Sequence, residues 1–319
     1  MIVTLTANPS LDRTATLERP LTRGDVHRVT SVTVEPGGKG INVARVAHYA
    51  GHPVRAVLPA GTGDPILRGL DDLRVPYRSV PLLDAVRTNL TLTEPDGTTT
   101  KINEPGPSLD EEITERLAHL LVLESERADW VVLSGSLPPG VPAGWYADLV
   151  RALRPWGCRI AVDTSDAPLL ALAAEFPDAA PDLLKPNAEE LAQLTGADPQ
   201  LLESAAAAGD PSACVDAARA LLQRGVSAVM ATLGGAGAVL VTPEGAWHAT
   251  PPPITLRSTV GAGDSSVAGY VLAETRGLSA PDRLRLAVAY GSAAASLAGT
   301  ALPHPEQLNT VSVVITDVG

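Results

Sequence analysis

Segments that alternate with period two and segments with helical spacing follow one another along this chain. Val3-Thr4-Leu5-Thr6 alternates and is stopped by Asn8-Pro9-Ser10, which predicts a first strand. Residues 41–51 carry apolar side chains at helical spacing and end on Gly51, and Val54 to Leu58 is a short apolar run beyond them. The rhythm returns with a strand from Trp130 to Leu133, a helix over 143–154 and a strand from Ile160 to Asp163. A short helix over 188–195 and a longer one over 212–224 come next. Val226 to Leu233 then reads as a strand, with Ala238 to Thr242 as its hairpin partner. Ala-rich helices are predicted over 265–276 and 282–298. Such alternation predicts an α/β fold, a mostly parallel sheet with helices on both faces.

Two segments break the rhythm. Residues 12–36 and 87–104 are rich in Thr, Val and charge, alternate with period two, and include the turn signal Asp96-Gly97. They predict exposed antiparallel strands forming a small sheet that stands off the main domain as a lid. The expected division is 1–11, 37–86 and 105–319 for the main domain, and 12–36 and 87–104 for the lid. Residues 204–211 read as a surface loop or a frayed helix end. The tail NTVSVVITDVG does not extend the last helix and carries no pattern of its own.

Composition narrows the functional classes. Hydrophobic residues make up 45% but aromatics only 3%, so a sizeable core must be built from Ala, Val and Leu. A net charge of −12 argues against nucleic acid or an anionic membrane as the main partner, so any anionic ligand must meet local cations. Cys158 and Cys214 make no disulfide framework and lack metal-ligand spacing. The first residues have no basic and apolar leader pattern, and the longest apolar stretch, Ala228 to Val241, is interrupted by Thr232, Gly234, Gly235 and Gly237. A cytoplasmic protein is expected.

Neither the P-loop nor the dinucleotide fingerprint is present. Gly37-Gly38-Lys39-Gly40 has the wrong spacing for the first, and Ile66 stands where the second needs its third glycine. Gly261-Ala262-Gly263-Asp264 opens a predicted helix. It reads either as a glycine turn with Asp264 as N-cap, or as an anion cradle with a carboxylate able to take a proton from an attacking hydroxyl. Glu35-Pro36-Gly37-Gly38-Lys39-Gly40-Ile41-Asn42 is either a tight turn into a helix or a close backbone approach with a cation at Lys39 and a sugar-bonding amide at Asn42. In Lys185-Pro186-Asn187-Ala188-Glu189-Glu190, Asn187 and Glu190 can form a near capping box. Alternatively Lys185 faces nucleotide phosphates and Glu190 a hydrated magnesium ion. Thr232-Leu233-Gly234-Gly235-Ala236-Gly237 is a glycine-rich turn, and Asp12 is a carboxylate just beyond the first strand, where parallel sheets place ligands.

Taken together and in this order, PGGKGINVAR, LSGSLPPG and STVGAGDS resemble the ribokinase-like sugar kinases, the phosphofructokinase-B family, from Thr4 to about Pro303. Within it, Lys39, TKINEPGP (100–107), VDTS (162–165) and LLKPNAEEL (183–191) are most similar to 1-phosphofructokinases and tagatose-6-phosphate kinases. The resemblance implies a three-layer αβα domain with a β lid. It implies ATP and Mg2+, admits a monovalent cation, and gives a small phosphosugar as substrate. Asp264 becomes the catalytic base, with Gly261, Ala262 and Gly263 as the anion hole. Asp12, Gly38, Lys39, Asn42 and Arg87 become sugar-phosphate contacts, joined by Asn103 and Ser136. Lys185, Asn187, Thr232, Gly234 and Gly237 become ATP contacts, and Glu190 faces magnesium through water. D-fructose 1-phosphate is the first expectation, with tagatose 6-phosphate and fructose 6-phosphate as rivals. A catalytically silent sugar-phosphate-binding regulator is the alternative from another class, although such a module would need neither Asp264 nor an anion hole. The free edges of the lid strands allow a homodimer through the lid. Two positions depart from the family pattern: Ser266 replaces an apolar residue and Asp166 a glycine.

Overall fold

Every residue of the first strand, β1 (Ile2–Leu5), is buried, as a strand covered on both faces requires. The chain then leaves the main sheet for β2 (Ser10–Leu17) and β3 (Val29–Gly37) and returns in α1 (Lys39–Tyr49) and β4 (Val54–Pro59). Helix α2 (Pro65–Asp72) starts where Asp64 accepts the Ile66 amide at 2.9 Å with Pro65 in the first turn, and β5 (Tyr77–Val80) follows. A second excursion gives β6 (Arg87–Thr93) and β7 (Thr99–Asn103). The computed structural model describes residues 1–319.

Helix α3 (Glu111–Ser125) is capped by Asp110 and leads to β8 (Trp130–Ser134), α4 (Trp145–Leu153), β9 (Arg159–Asp163), α5 (Asp166–Ala174) and the two-residue β10 (Leu183–Leu184). Next come α6 (Ala188–Thr195), α7 (Pro199–Ala207), α8 (Ser212–Leu222), β11 (Ala228–Thr232), β12 (Ala238–Thr242) and β13 (Gly245–Thr250). The chain closes with α9 (Ala262–Thr275), α10 (Ala280–Ala295) and β14 (Val314–Asp317).

The main sheet has ten strands in the order β14-β13-β12-β11-β10-β9-β8-β1-β4-β5. From β5 to β11 the neighbours are parallel; β12, β13 and β14 are antiparallel additions. Alternate side chains enter two cores. Val3, Leu5, Val131 and Leu133 join Leu117, Tyr146 and Val215 on one face, while Ile2, Trp130 and Val132 join Ile41, Val267 and Leu284 on the other. Helices therefore cover both faces, giving the three layers expected.

The small sheet is separate and runs β3-β2-β6-β7. It is not wholly antiparallel, as the alternation had suggested. Strands β2 and β6 are parallel, with Ser10 opposite Arg87 and Asp12 opposite Asn89. The reason lies in the main sheet: β2 follows β1 and β6 follows β5, both strands of the parallel set, so both excursions rise from the same end in the same direction. Residues 204–211 divide, with α7 running to Ala207 and a turn at Gly209. The C-terminal tail forms the edge strand β14, with Trp247 opposite Asp317 and Thr250 opposite Val314.

Candidate active site

Parallel strands place their carboxyl ends on one side of a sheet, and the polar groups singled out from the sequence gather there. Strand β9 ends at Asp163, which is 1% exposed. Its Oδ1 receives Lys39 Nζ at 3.0 Å from the start of α1 and Lys185 Nζ at 3.3 Å from just beyond β10. Two ammonium groups thus share one buried carboxylate oxygen, while Oδ2 has no hydrogen-bond partner. Burial pushes this carboxyl up, but the charges of Lys185 and Lys39 outweigh it and hold it below the usual carboxylate range. Burial likewise lowers Lys39, yet Asp163 and Asp264 win and raise it.

Asp264 has the opposite fate. It lies in the first turn of α9, 6% exposed, and accepts Asn42 Nδ2 at 2.8 Å. Burial, joined by the negative charge of Asp163, pushes its carboxyl up to about 6 despite Lys39, Asn42 and Lys185. A carboxylate in that range can hold a proton and release it near neutral pH. Gly261 precedes the helix with φ 74°, a left-handed conformation that side chains other than glycine adopt only with strain. It turns the chain so that the free N–H groups at the start of α9 are unblocked by a side-chain cap. A side chain on Gly263 would stand 3.6 Å from Lys185 Nζ, so that lysine lies beside the same helix end.

On the small sheet, Asp12 Oδ1 accepts the Ser10 hydroxyl at 2.7 Å and Asn89 Nδ2 at 3.1 Å. Burial raises Asp12, against these bonds and the nearby Arg87 and Arg45. Gly37 makes the arrangement possible, because a Cβ there would collide with the Asp12 carboxylate. Arg87 opens β6, donates to the Glu104 carbonyl at 3.2 Å and is favoured in its charged form by Asp12 and Glu104, although burial dominates and lowers it. Gly38 precedes α1 at φ 108°. Asn103 is exposed at the end of β7, opposite Asn89, and Ser136 accepts Asn8 Nδ2 at 3.4 Å beyond β8.

The remaining motifs meet at the next strands. Asn187 Oδ1 accepts the Glu190 amide and Glu190 Oε2 accepts the Asn187 amide, each at 2.8 Å, a complete capping box that starts α6. Burial raises the Glu190 carboxyl against the pull of Lys185. Thr232 ends β11 and bridges to Asn187, so the 185–190 and 232–237 segments are neighbours. Gly234 and Gly237 turn the chain from β11 into β12.

The sequence reading did not assign Asp163, Asn89 or Ser10. Asp163 carried a signal, as a carboxylate at the end of a predicted strand within VDTS. The two departures find local explanations. Asp166 begins α5 with φ 56°, a left-handed position that glycine fills with least strain, and its carboxylate accepts the Ser165 hydroxyl at 2.9 Å. Ser266 returns its hydroxyl to the Ala262 carbonyl at 3.0 Å and fits against Gly291, where a side chain would collide with it.

Comparison with known proteins bears on the family and the fold. The family model described as pfkB family carbohydrate kinase matches residues 6–307. A 1-phosphofructokinase of Rhodobacter capsulatus is 36% identical over 99% of this chain and 96% of its own length. The ATP-dependent 6-phosphofructokinase isozyme 2 of Escherichia coli is 36% identical over 94% of each chain. The crystal structure of the Escherichia coli phosphofructokinase-2 in complex with substrates and products superposes with a TM-score of 0.87, covering 96% of both chains at 35% identity. Three ordered glycine motifs, the αβα layers with their small separate sheet, and a match across most of the chain lead to one conclusion: the protein is a member of the pfkB family of carbohydrate kinases.

Proposed function

We propose that the chain phosphorylates D-fructose 1-phosphate with ATP to give fructose 1,6-bisphosphate. The observation that carries the phosphoryl-transfer reading is Asp264, raised to about 6 and seated at an uncapped helix N-terminus beside the buried Lys185 and the partly exposed Lys39. The free primary hydroxyl of the sugar gives its proton to Asp264 as its oxygen attacks the γ-phosphorus. The bond between that phosphorus and the β–γ bridging oxygen breaks, and ADP leaves. The N–H groups of Ala262 and Gly263 and the Lys185 ammonium are disposed to stabilise the charge on the transferring group. Asp12, Asn42 and Arg87 hold the sugar phosphate, joined by Lys39, Gly38, Asn103 and Ser136. Thr232, Gly234, Gly237 and Asn187 line the path of the nucleotide.

No group of three His, Cys, Asp or Glu side chains in the fold could cage a metal ion. That fits Mg2+, which keeps its waters and reaches such sites on nucleotide phosphates with one or two carboxylates. Glu190 and the unpartnered Asp163 Oδ2 are the hard oxygens that would face it, and it would supply charge neutralisation on the phosphates.

The test is ATP consumption against fructose 1-phosphate, tagatose 6-phosphate, fructose 6-phosphate and unphosphorylated fructose. Fructose 1-phosphate is expected to give the highest kcat/KM. The relative named as a 6-phosphofructokinase keeps fructose 6-phosphate as the second reading, and equal turnover of free fructose would end the phosphosugar assignment. Val32 and Val34 on β3 and Ile102 on β7, exposed on the two edge strands of the small sheet, support pairing of two chains there.

A further inference from the structure

A chain of contacts runs from the sugar side of the site to the phosphate turn, and two of its links, Glu35 and Thr300, lie outside the family motifs. In the antiparallel pair β2–β3, Asp12 lies directly opposite Glu35. One oxygen of Glu35 receives Arg45 Nη2 at 2.9 Å, and the other accepts the hydroxyl of Thr300, in the connection after α10. Arg45 is buried on α1 and also donates to the Pro36 carbonyl at 3.1 Å, which fixes the base of the small sheet against α1. Beside Thr300, the Gly299 carbonyl accepts the Ser258 hydroxyl at 2.7 Å. Ser258 Oγ accepts the Val260 amide at 3.1 Å, immediately before Gly261. Packing follows the same route. A side chain on Gly299 would stand 3.7 Å from Thr14 of β2, and one on Gly261 would stand 2.7 Å from Leu302 Cδ2. Residues 299–302 are therefore wedged between the small sheet and the turn that opens α9.

Thr300 is 7% exposed, so a displaced Glu35 would leave its hydroxyl buried without a partner. The cost makes the two ends move together. We infer that Thr300 is a positioning residue that links occupation of the sugar side, through Asp12 and Glu35, to the geometry of the phosphate turn, so that phosphosugar and nucleotide bind with positive linkage. This rests on the phosphosugar and ATP reading above. Linkage is reciprocal: each ligand raises the affinity for the other by the same factor.

The experiment is calorimetric titration of a non-hydrolysable ATP analogue, with magnesium, alone and with saturating fructose 1-phosphate, or with tagatose 6-phosphate or fructose 6-phosphate should turnover select it. The wild-type protein is expected to bind the analogue at least about fivefold more tightly with sugar present. Thr300→Val keeps the shape and removes the hydroxyl. It should reduce that factor to below about twofold while the affinity for the analogue alone stays within about twofold. Thr300→Ser, which retains the hydroxyl, should restore the wild-type factor. Ser258→Ala cuts the route at its other end and should lower the factor in the same way, so the inference does not depend on one variant folding. A wild-type factor of one, or a wild-type factor retained in either folded variant, overturns the linkage. If none of the sugar phosphates binds, the substrate reading falls, and the linkage falls with it.

Discussion

At the carboxyl ends of the main sheet, Lys39, Lys185 and Asp163 are locked together with Asp163 and Lys185 almost wholly out of solvent. Across the site, Asp12, Asn89, Ser10 and Arg87 lie on a four-stranded sheet whose outer strands are largely exposed. The first group is built on the ends of β9 and β10 and the start of α1, each packed into a core. The second is held by hydrogen bonds between side chains on a sheet whose strand β3 is exposed over its first six residues. A buried charge cluster costs little to reorganise during reaction because it is already arranged. A half-exposed sheet can adjust around a substrate, and its contacts are closer in worth to ordinary charged hydrogen bonds. Under the proposed function the chemistry sits on the rigid wall and much of the sugar recognition on the compliant one, so substitutions on the two walls should fail differently.

The largest effect is expected at Asp264. Asp264→Asn keeps the shape and removes proton acceptance, so kcat should fall by on the order of 10²–10⁴ with little change in either KM. In the wild type, kcat should rise with pH through about 6 as the carboxylate forms. The stability effect has the opposite sign. A carboxyl whose folded value is raised adds stability below its unfolded value and loses it as pH rises through the folded one. The Asn variant should therefore melt higher than wild type near neutral pH, with the difference shrinking below about 6. Calorimetry across that range checks it, and a variant that melts lower at neutral pH would contradict the reading.

Next comes the buried pair. Lys185→Met leaves Asp163 with Lys39 alone, and removal of one partner from a buried ion cluster should destabilise the fold by about 2–4 kcal/mol. Asp163 is held below its ordinary value, so its stabilisation is present above that value and lost as pH falls through the folded one. With one lysine gone, acid unfolding should begin at higher pH than in wild type. Denaturant titration at neutral and acid pH measures both.

The smallest of the three lies on the compliant wall. Arg87→Ala should raise the KM for the phosphosugar by roughly 10- to 100-fold, about 1.5–3 kcal/mol, while leaving melting temperature and the KM for ATP near wild type. The KM for ATP is compared at saturating phosphosugar, and an equal rise there would mean that Arg87 serves both ligands rather than the phosphosugar alone.

How much of this was legible in the sequence depends on distance along the chain. The αβ rhythm, the glycine turn before Asp264 and the Asn187–Glu190 cap are local patterns and were legible, although α9 begins at Ala262, which puts Asp264 inside its first turn rather than at its N-cap. Asp163 was unread because its meaning depends on Lys39, 124 positions away. Asn89 was unread for the same reason, since nothing local ties it to Asp12. Helix α3 buries Thr114, Leu117, Leu121 and Ser125, a helical stripe in which two of four members are polar and so weakly visible. Strand β14 buries none of its four residues and left no apolar alternation to find.

The parallel pairing of β2 with β6 also bears on the order in which the molecule assembles. Asp12 and Asn89 are 77 residues apart, and no hairpin can bring them together. The β1–α1–β4 unit and the strand β5 beside it must be in place before the two excursions can meet, and long loops of this kind close slowly. During refolding followed by pulsed hydrogen exchange, amides of β1 and β4 should gain protection before those shared by β2 and β6. A newly made chain would then complete the wall of Asp163 and its lysines first and that of Asp12 and Asn89 last, so under the proposed function an immature molecule has little means of gripping a phosphosugar.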